Sequence, residues 1–342
     1  MKRINSRILW LCLVAVGLYI AGWLFMTFIK SPCHIEKTVS VYIRPGDNQE
    51  KVLKQLIEVG HIKNSKRLVL ILDLMDYKNN VHPGRYDLKP GISSFRIARN
   101  LRSGLQTPVK LTFNNIRKVE DLAGRFSHQL MADSVSILSS FQEVGWRNMK
   151  GLTTENYMCI FIPNTYDVYW NTTPEKLLDL LQREYDKFWD DTRVAEAEKI
   201  GLTKVQVSTL ASIVEEETNK SDEMPKVAGL YLNRLRINMP LQADPTVKFA
   251  VGDFTIKRIL KEHTRISSPY NTYKNTGLPP GPIRIPSITA IDAVLKPTRH
   301  SYLYMCAKDD FSGYHAFATT LSQHNANASK YHQALNNSGI ME

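Results

Sequence analysis

The sequence is poor in cysteine. It has four in 342 residues, and no two are spaced as Cys-x-x-Cys. Cys12 lies inside a long apolar run. That leaves Cys33, Cys159 and Cys306, an odd number that allows at most one internal bridge and equally allows three free thiols. A disulfide-stapled scaffold is excluded. Also missing are Gly-x-Ser-x-Gly, His-Glu-x-x-His and any glycine loop that cradles phosphate, which removes the hydrolases, metalloproteases and nucleotide enzymes built on them. The nine histidines are scattered. His315 and His324 are near enough to approach each other, but two imidazoles without Cys or carboxylate partners make no metal site. No metal and no cofactor are expected.

Acidic residues are also scarce: 33 Asp and Glu stand against 44 Lys and Arg. The surplus is local, with about eleven more basic than acidic residues in the first 110. Lys2, Arg3 and Arg7 precede a charge-free run from Ile8 to Ile29. That run is about 22 residues, long enough to cross a bilayer as a helix. Trp10 and Trp23 stand near its ends, where indoles favour the headgroup region. The expectation is a cytoplasmic tail of residues 1–7, a transmembrane helix over 8–29, and export of everything after Lys30. A cleaved signal peptide is the alternative. The run is long for one, and no Ala-x-Ala site follows. Nucleic acid is not expected to meet an exported chain. Anionic headgroups, an anionic wall polymer or plain solvent remain open as partners of the basic segment.

The exported part mixes both periodicities, so the fold class is α+β. Thr38 to Ile43 alternates as a strand, Pro45-Gly46 turns, and Val52, Leu53, Leu56 and Ile57 share one helix face. Tyr86, Leu88, Pro90-Gly91 and a helix ending near Gly104 partly repeat that order. Residues 30–108 therefore read as a small basic α+β module, with a larger α+β domain over 109–342. Near the end, Tyr302–Cys306 and Tyr314–Ala318 read as two strands followed by a helix.

The informative segment runs from Gly201 to Thr218. Thr203 and Gln206 match a capping box, so a helix starts there. At about 100° per residue, Val207, Leu210, Ala211, Ile213 and Val214 form one apolar stripe. Glu217 continues it, three positions after Val214 and seven after Leu210. Glu215 and Glu216 point elsewhere and read as solvated charges. A carboxyl on a core-facing stripe resists ionisation, as a general acid working near neutral pH must. The competing reading is a helix end reaching solvent, or a partner of a buried Arg.

Downstream, Asp244 precedes Pro245 and reads as a helix cap. Tyr270-Asn-Thr-Tyr273 and Gly277-Leu-Pro-Pro-Gly-Pro-Ile283 follow, and the second cannot be regular structure. A rigid loop rich in Tyr, Asn and Gly suits a carbohydrate cleft, where rings stack on sugar faces and amides bond hydroxyls. It equally suits a wall with no ligand.

Ala211-Ser-Ile-Val-Glu-Glu-Glu-Thr218, Asn233-Arg-Leu235, Leu241-Gln-Ala-Asp-Pro-Thr-Val247, Tyr270-Asn-Thr-Tyr273 and Gly277-Leu-Pro-Pro-Gly-Pro282 resemble, in order, the motifs of the YceG/MltG-like endolytic peptidoglycan transglycosylases. Tyr302-Leu-Tyr304, Gly313-Tyr-His315, Phe317 and His324-Asn325 are similar too, and Tyr86 to Gly104 resembles the family's LysM-like region. The resemblance implies that Glu217 is catalytic and that the MurNAc–GlcNAc β-1,4 bond of peptidoglycan is cleaved to 1,6-anhydro-MurNAc ends. It also implies work beside peptidoglycan synthases at the cytoplasmic (inner) membrane. Gln242, Asp244, Tyr270, Asn271 and Tyr273 are the candidates for binding substrate. Asn164, Ala243 and Ser287 depart from the family's usual Asp, Thr and Gly. Two rivals remain: a lysozyme-type hydrolase with Asp244 as partner carboxylate, and a non-enzymatic wall-binding scaffold.

Overall fold

A computed structural model describes residues 6–338 of the chain, apart from 64 and 257. Lys2 and Arg3, expected to flank the apolar run, lie outside the described residues. Internal contacts divide the chain into two compact units. One holds the residues up to Leu111 together with Gln129–Ala132 and Tyr166–Thr172. The other holds Thr112–His128, Asp133–Thr165 and everything from Thr173 onward.

The first unit begins with helix α1 (Ser6–Leu24), which ends in a π-helical turn over Phe25–Ile29. Trp10–Ile29 is long and apolar enough to cross a membrane. Residues 10–25 are exposed, so this apolar helix finds no protein core for most of its length. Its last turn is different. Thr27 is buried, Phe28 meets Phe95 at 6.3 Å between ring centroids, and the Arg67 guanidinium donates to the Met26 carbonyl.

Strand β1 (Val39–Ile43) pairs antiparallel with β2 (Gly84–Leu88), Val41 opposite Tyr86 and Ser40 opposite Asp87. Alternation sends Val41, Ile43, Tyr86 and Leu88 into the core. On the other face the Ser40 hydroxyl and Arg85 both donate to Asp87. Helices α2 (Gln49–Gly60), α3 (Lys66–Leu74) and α4 (Ser94–Arg102) close that core with Val52, Leu56, Ile71, Leu72, Ile97 and Leu101. Asn48 caps α2 and Ser93 caps α4. Strands β3 (Val109–Thr112) and β4 (Thr165–Val168) pair in a second sheet.

The second unit opens with α5 (Val119–Ser127), α6 (Ser134–Gln142), α7 (Val144–Met149) and α8 (Pro174–Phe188). Phe113, Phe126, Phe141 and Phe161 form a buried chain of rings spaced 5.4, 6.1 and 5.0 Å. Helix α9 (Asp191–Ile200) ends at Gly201 in the left-handed conformation. Helix α10 (Lys204–Glu217) follows, with the expected capping box of Thr203 and Gln206 formed. Every residue from Val207 to Val214 is buried, because α10 is enclosed by α11 (Met224–Arg236), α12 (Asp244–Val251) and α13 (Ile288–Leu295). A hairpin of β5 (Tyr304–Ala307) and β6 (His315–Ala318) then packs on α14 (Leu321–Asn337). Helices with small two-stranded sheets give the mixed α and β architecture expected.

Candidate active site

Glu217 is the last residue of α10. The helix turns its apolar stripe into the core, and Glu217 arrives half-buried at the end of it. Its Oε1 accepts a 2.6 Å hydrogen bond from the hydroxyl of Tyr231 on α11. Burial lifts its pKa from the ordinary 4.5 to about 7. The Tyr231 bond opposes that rise, the charge of Asp244 adds to it, and His315 and Arg234 reduce it. The C-terminal end of a helix carries partial negative charge, so this placement does nothing to favour the anion. At neutral pH the side chain is poised between acid and carboxylate.

Glu217 lines a cavity of about 350 Å3, shared with Tyr231, Arg234, Gln242, Asp244, Tyr273, Tyr304, His315 and His324 among others. That is the size of a small-ligand site. Its wall is polar and aromatic. Tyr304 stacks on His324 with centroids 5.5 Å apart and planes 25° apart. Tyr273 donates its hydroxyl hydrogen to Asp244 at 2.5 Å. Gln242 sits at φ +49°, in the left-handed region that disfavours side chains, and its N–H donates to the Thr272 carbonyl. Arg234 is buried. Its guanidinium donates to the carbonyls of Leu303, Pro240 and Leu241 at 2.6, 3.2 and 2.7 Å, tying the end of α11 to the chain before α12 and before β5.

Of the six expected site residues, Glu217, Gln242, Asp244 and Tyr273 come together in this cavity, and Tyr270 and Asn271 do not line it. Asn271 is fully buried. Its amide donates to the carbonyls of Thr264 and Ile266 and its oxygen accepts from the Tyr273 N–H, so it holds the loop that presents Tyr273. Tyr270 packs its ring 4.6 Å from Phe249 and donates to the Glu155 carbonyl.

Two local expectations are corrected. Glu215 and Glu216 are not solvated charges. Glu216 binds Arg117 at 2.6 Å and Arg284 at 2.7 Å, and Glu215 accepts the Ser287 N–H. They anchor the proline-rich loop to α10, as does the Ile283 N–H on Ser212. Nor does Asp244 cap α12. Ala243 holds the cap position and Asp244 opens the helix, leaving its carboxylate for Tyr273. Tyr231, Arg234 and His315 belong to the cavity and escaped the sequence reading as site residues. Among the described residues no group of His, Cys, Asp and Glu is placed to hold a metal ion.

A half-withdrawn carboxyl with a pKa near neutrality, hydrogen-bonded by a tyrosine in a polar aromatic cavity, has the chemistry to give and take a proton. The model of the YceG-like family matches residues 41–330, and the chain belongs to that family. It is 37% identical over 166 residues to the endolytic murein transglycosylase of Bacillus subtilis, covering 48% of this chain and 45% of that one. The endolytic murein transglycosylase of Streptococcus pneumoniae is 27% identical over 95% of this chain and 64% of its own. The chain thus spans about half to two thirds of the length of these relatives. The crystal structure of a yceG-like protein from Listeria monocytogenes shares the fold, with a TM-score of 0.55 at 24% identity over 85% of this chain and 99% of that one.

Proposed function

We propose that this chain is an endolytic lytic transglycosylase of peptidoglycan, with Glu217 as its acid and base. The observation that carries the reading is the Glu217 carboxyl, half-buried and hydrogen-bonded by Tyr231 inside a sugar-sized polar cavity, where burial lifts its pKa to about 7. Protonated Glu217 gives its proton to the oxygen of the MurNAc–GlcNAc β-1,4 bond as that bond breaks. The C6 hydroxyl of MurNAc attacks C1 and closes the 1,6-anhydro ring, and its proton returns to the enzyme. No water is consumed. An internal nucleophile starts close to C1 and avoids the entropy cost of capturing a free one. Gln242, Asp244 and Tyr273 orient the sugar, and the Tyr304–His324 stack offers it a face. Tyr270 and Asn271 act by holding the loop.

In this reading α1 is a single-pass anchor in the cytoplasmic membrane, with Lys2, Arg3 and Arg7 on the cytoplasmic side and the catalytic unit outside. Residues 30–108, whose strands and helices enclose a core of their own, serve as the basic LysM-like module. Termination or release of new glycan strands beside synthases follows from cutting within a strand.

The test is digestion of purified sacculi by the full chain, with mass spectrometry of the products. Anhydro ends, one water lighter than reducing ends, are expected, and Glu217→Gln should release none. Reducing ends would replace this reading by a lysozyme-type hydrolase, for which Asp244 in the same cavity is the available second carboxylate. Binding without fragments would leave a scaffold.

A further inference from the structure

Glu223 is a buried carboxylate, 4% exposed, just before α11. Three donors converge on it. The hydroxyl of Thr218, the residue after Glu217, donates at 2.8 Å. From β6 come the His315 backbone N–H at 2.7 Å and the His315 ring Nδ1 at 2.9 Å. The neighbouring side chains repeat the tie, with the Tyr314 hydroxyl donating to Asp222 at 2.9 Å. One acid therefore fastens the exit of α10 and the hairpin strand to each other. His315 also lines the cavity that holds Glu217.

A carboxylate only accepts hydrogen bonds, so Nδ1 carries the ring hydrogen in the neutral imidazole. Nε2 is then a lone pair, and no hydrogen bond from the described residues reaches it. We infer that His315, oriented by Glu223, is a second acid–base residue of the proposed transglycosylase reaction, with Nε2 receiving the proton of the attacking sugar hydroxyl. This rests on the reading given under Proposed function and divides its proton traffic between two groups. The C6 O–H bond breaks and its proton goes to Nε2. The C6 oxygen bonds C1 while the C1–O bond to the leaving sugar breaks. The leaving oxygen keeps the proton from Glu217. The resulting imidazolium faces the Glu217 carboxylate across one cavity, and a proton passing between them, directly or through water, restores both. The ionisable groups around His315 are Glu223 on its Nδ1 side and Glu217, Tyr231, Arg234, Asp244, Tyr273, Tyr304, Cys306 and His324 around the cavity. Arg234 remains cationic throughout.

The experiment measures the full chain on purified sacculi from pH 5 to 9, as wild type, His315→Gln and Glu223→Gln. His315→Gln should lose about 100-fold or more in kcat with KM changed less than about threefold, because proton transfer by a placed side chain contributes ~10²–10⁴. Its acidic limb in the pH–rate profile should vanish. Glu223→Gln should lose less and keep that limb, because the ring remains and only its orienting partner changes. Free imidazole should partly restore His315→Ala, which a purely structural role would not allow. The inference is overturned if His315→Gln turns over within threefold of wild type, or if it loses activity with an unchanged pH profile. A wild-type profile with no acidic limb overturns it too, whether or not the variants fold. Wild type making no anhydro ends would instead sink the underlying function, and wild type making them beside a fully active His315→Gln would sink this inference alone.

Discussion

Replacing Glu217 by glutamine should make the protein more stable, and only above a certain pH. Below about 4.5 the carboxyl holds its proton folded and unfolded, and its environment matters little. Between about 4.5 and 7 the folded chain keeps a proton that the unfolded chain releases. Stability then falls as pH rises, because the native state binds more protons. Above about 7 both states are ionised and the whole penalty is present. At ~1.4 kcal/mol per tenfold change in proton affinity, the gap between 4.5 and about 7 amounts to about 3 kcal/mol. Water reaching the carboxyl through the cavity mouth trims this to about 2–3 kcal/mol. The side-chain amide of Glu217→Gln cannot ionise, and its oxygen can still accept the Tyr231 hydroxyl bond. The variant should therefore match wild type near pH 4.5 and gain steadily to a plateau above pH 7. In a unit of this size ~2 °C accompanies each kcal/mol, so the plateau is roughly 4–6 °C in Tm. The assay is thermal unfolding of both full chains in detergent, followed by tryptophan fluorescence from pH 4.5 to 8. Equal melting at every pH, or a variant less stable above pH 7, would show that Glu217 is solvated as an ordinary surface acid, and the argument for its acid role would go with it.

Other consequences can be checked alongside. In Tyr231→Phe the carboxylate loses a donor that stabilises it, so the alkaline limb of the pH–rate profile should move upward by about one unit. Gln242→Gly should relieve the backbone at φ +49° and stabilise by up to ~1 kcal/mol, while KM on glycan rises as the side chain leaves the cavity wall. Arg284→Ala strips one of two cations from Glu216 and should cost about 1–2 kcal/mol in denaturant unfolding, less than breaking a lone buried pair because Arg117 stays on the carboxylate.

The legible parts of the molecule were those whose causes are local. The capping box at Thr203, the stripe that continues into Glu217 and the hairpin strands near the end are matters of a few consecutive residues, and each forms, the strands with bounds moved by one or two residues to Tyr304–Ala307 and His315–Ala318. The misreadings have long-range causes. Glu215 and Glu216 look like surface acids until Arg117 and Arg284, 99 and 68 positions from Glu216, fold against them. Asp244 beside a helix-opening proline looks like a cap until Tyr273 takes its carboxylate. Asn271 has the chemistry of a sugar ligand, but its amide closes its own loop on the carbonyls of Thr264 and Ile266. No spacing in the sequence separates those two uses.

Arg234 is the instructive omission, because the reasoning that found Glu217 also reaches it. On α11, Val227, Leu230 and Tyr231 stand seven, four and three positions before Arg234, the same offsets that put Glu217 in line with Leu210, Ile213 and Val214. A charged group continuing an apolar stripe is drawn away from water in both helices, Glu217 in part and Arg234 fully, by opposite means. Glu217 meets one hydroxyl and gives up part of its tendency to ionise. Arg234 cannot give up its charge near neutral pH, so the fold brings three carbonyls to it. A cation fixed in the wall, with no acid among the described residues bound to it, would lower the cost of the Glu217 anion that the proposed reaction passes through between its two proton transfers. The cavity thus contains one group that can change its charge near neutral pH and one that cannot, delivered by the same sequence pattern on neighbouring helices.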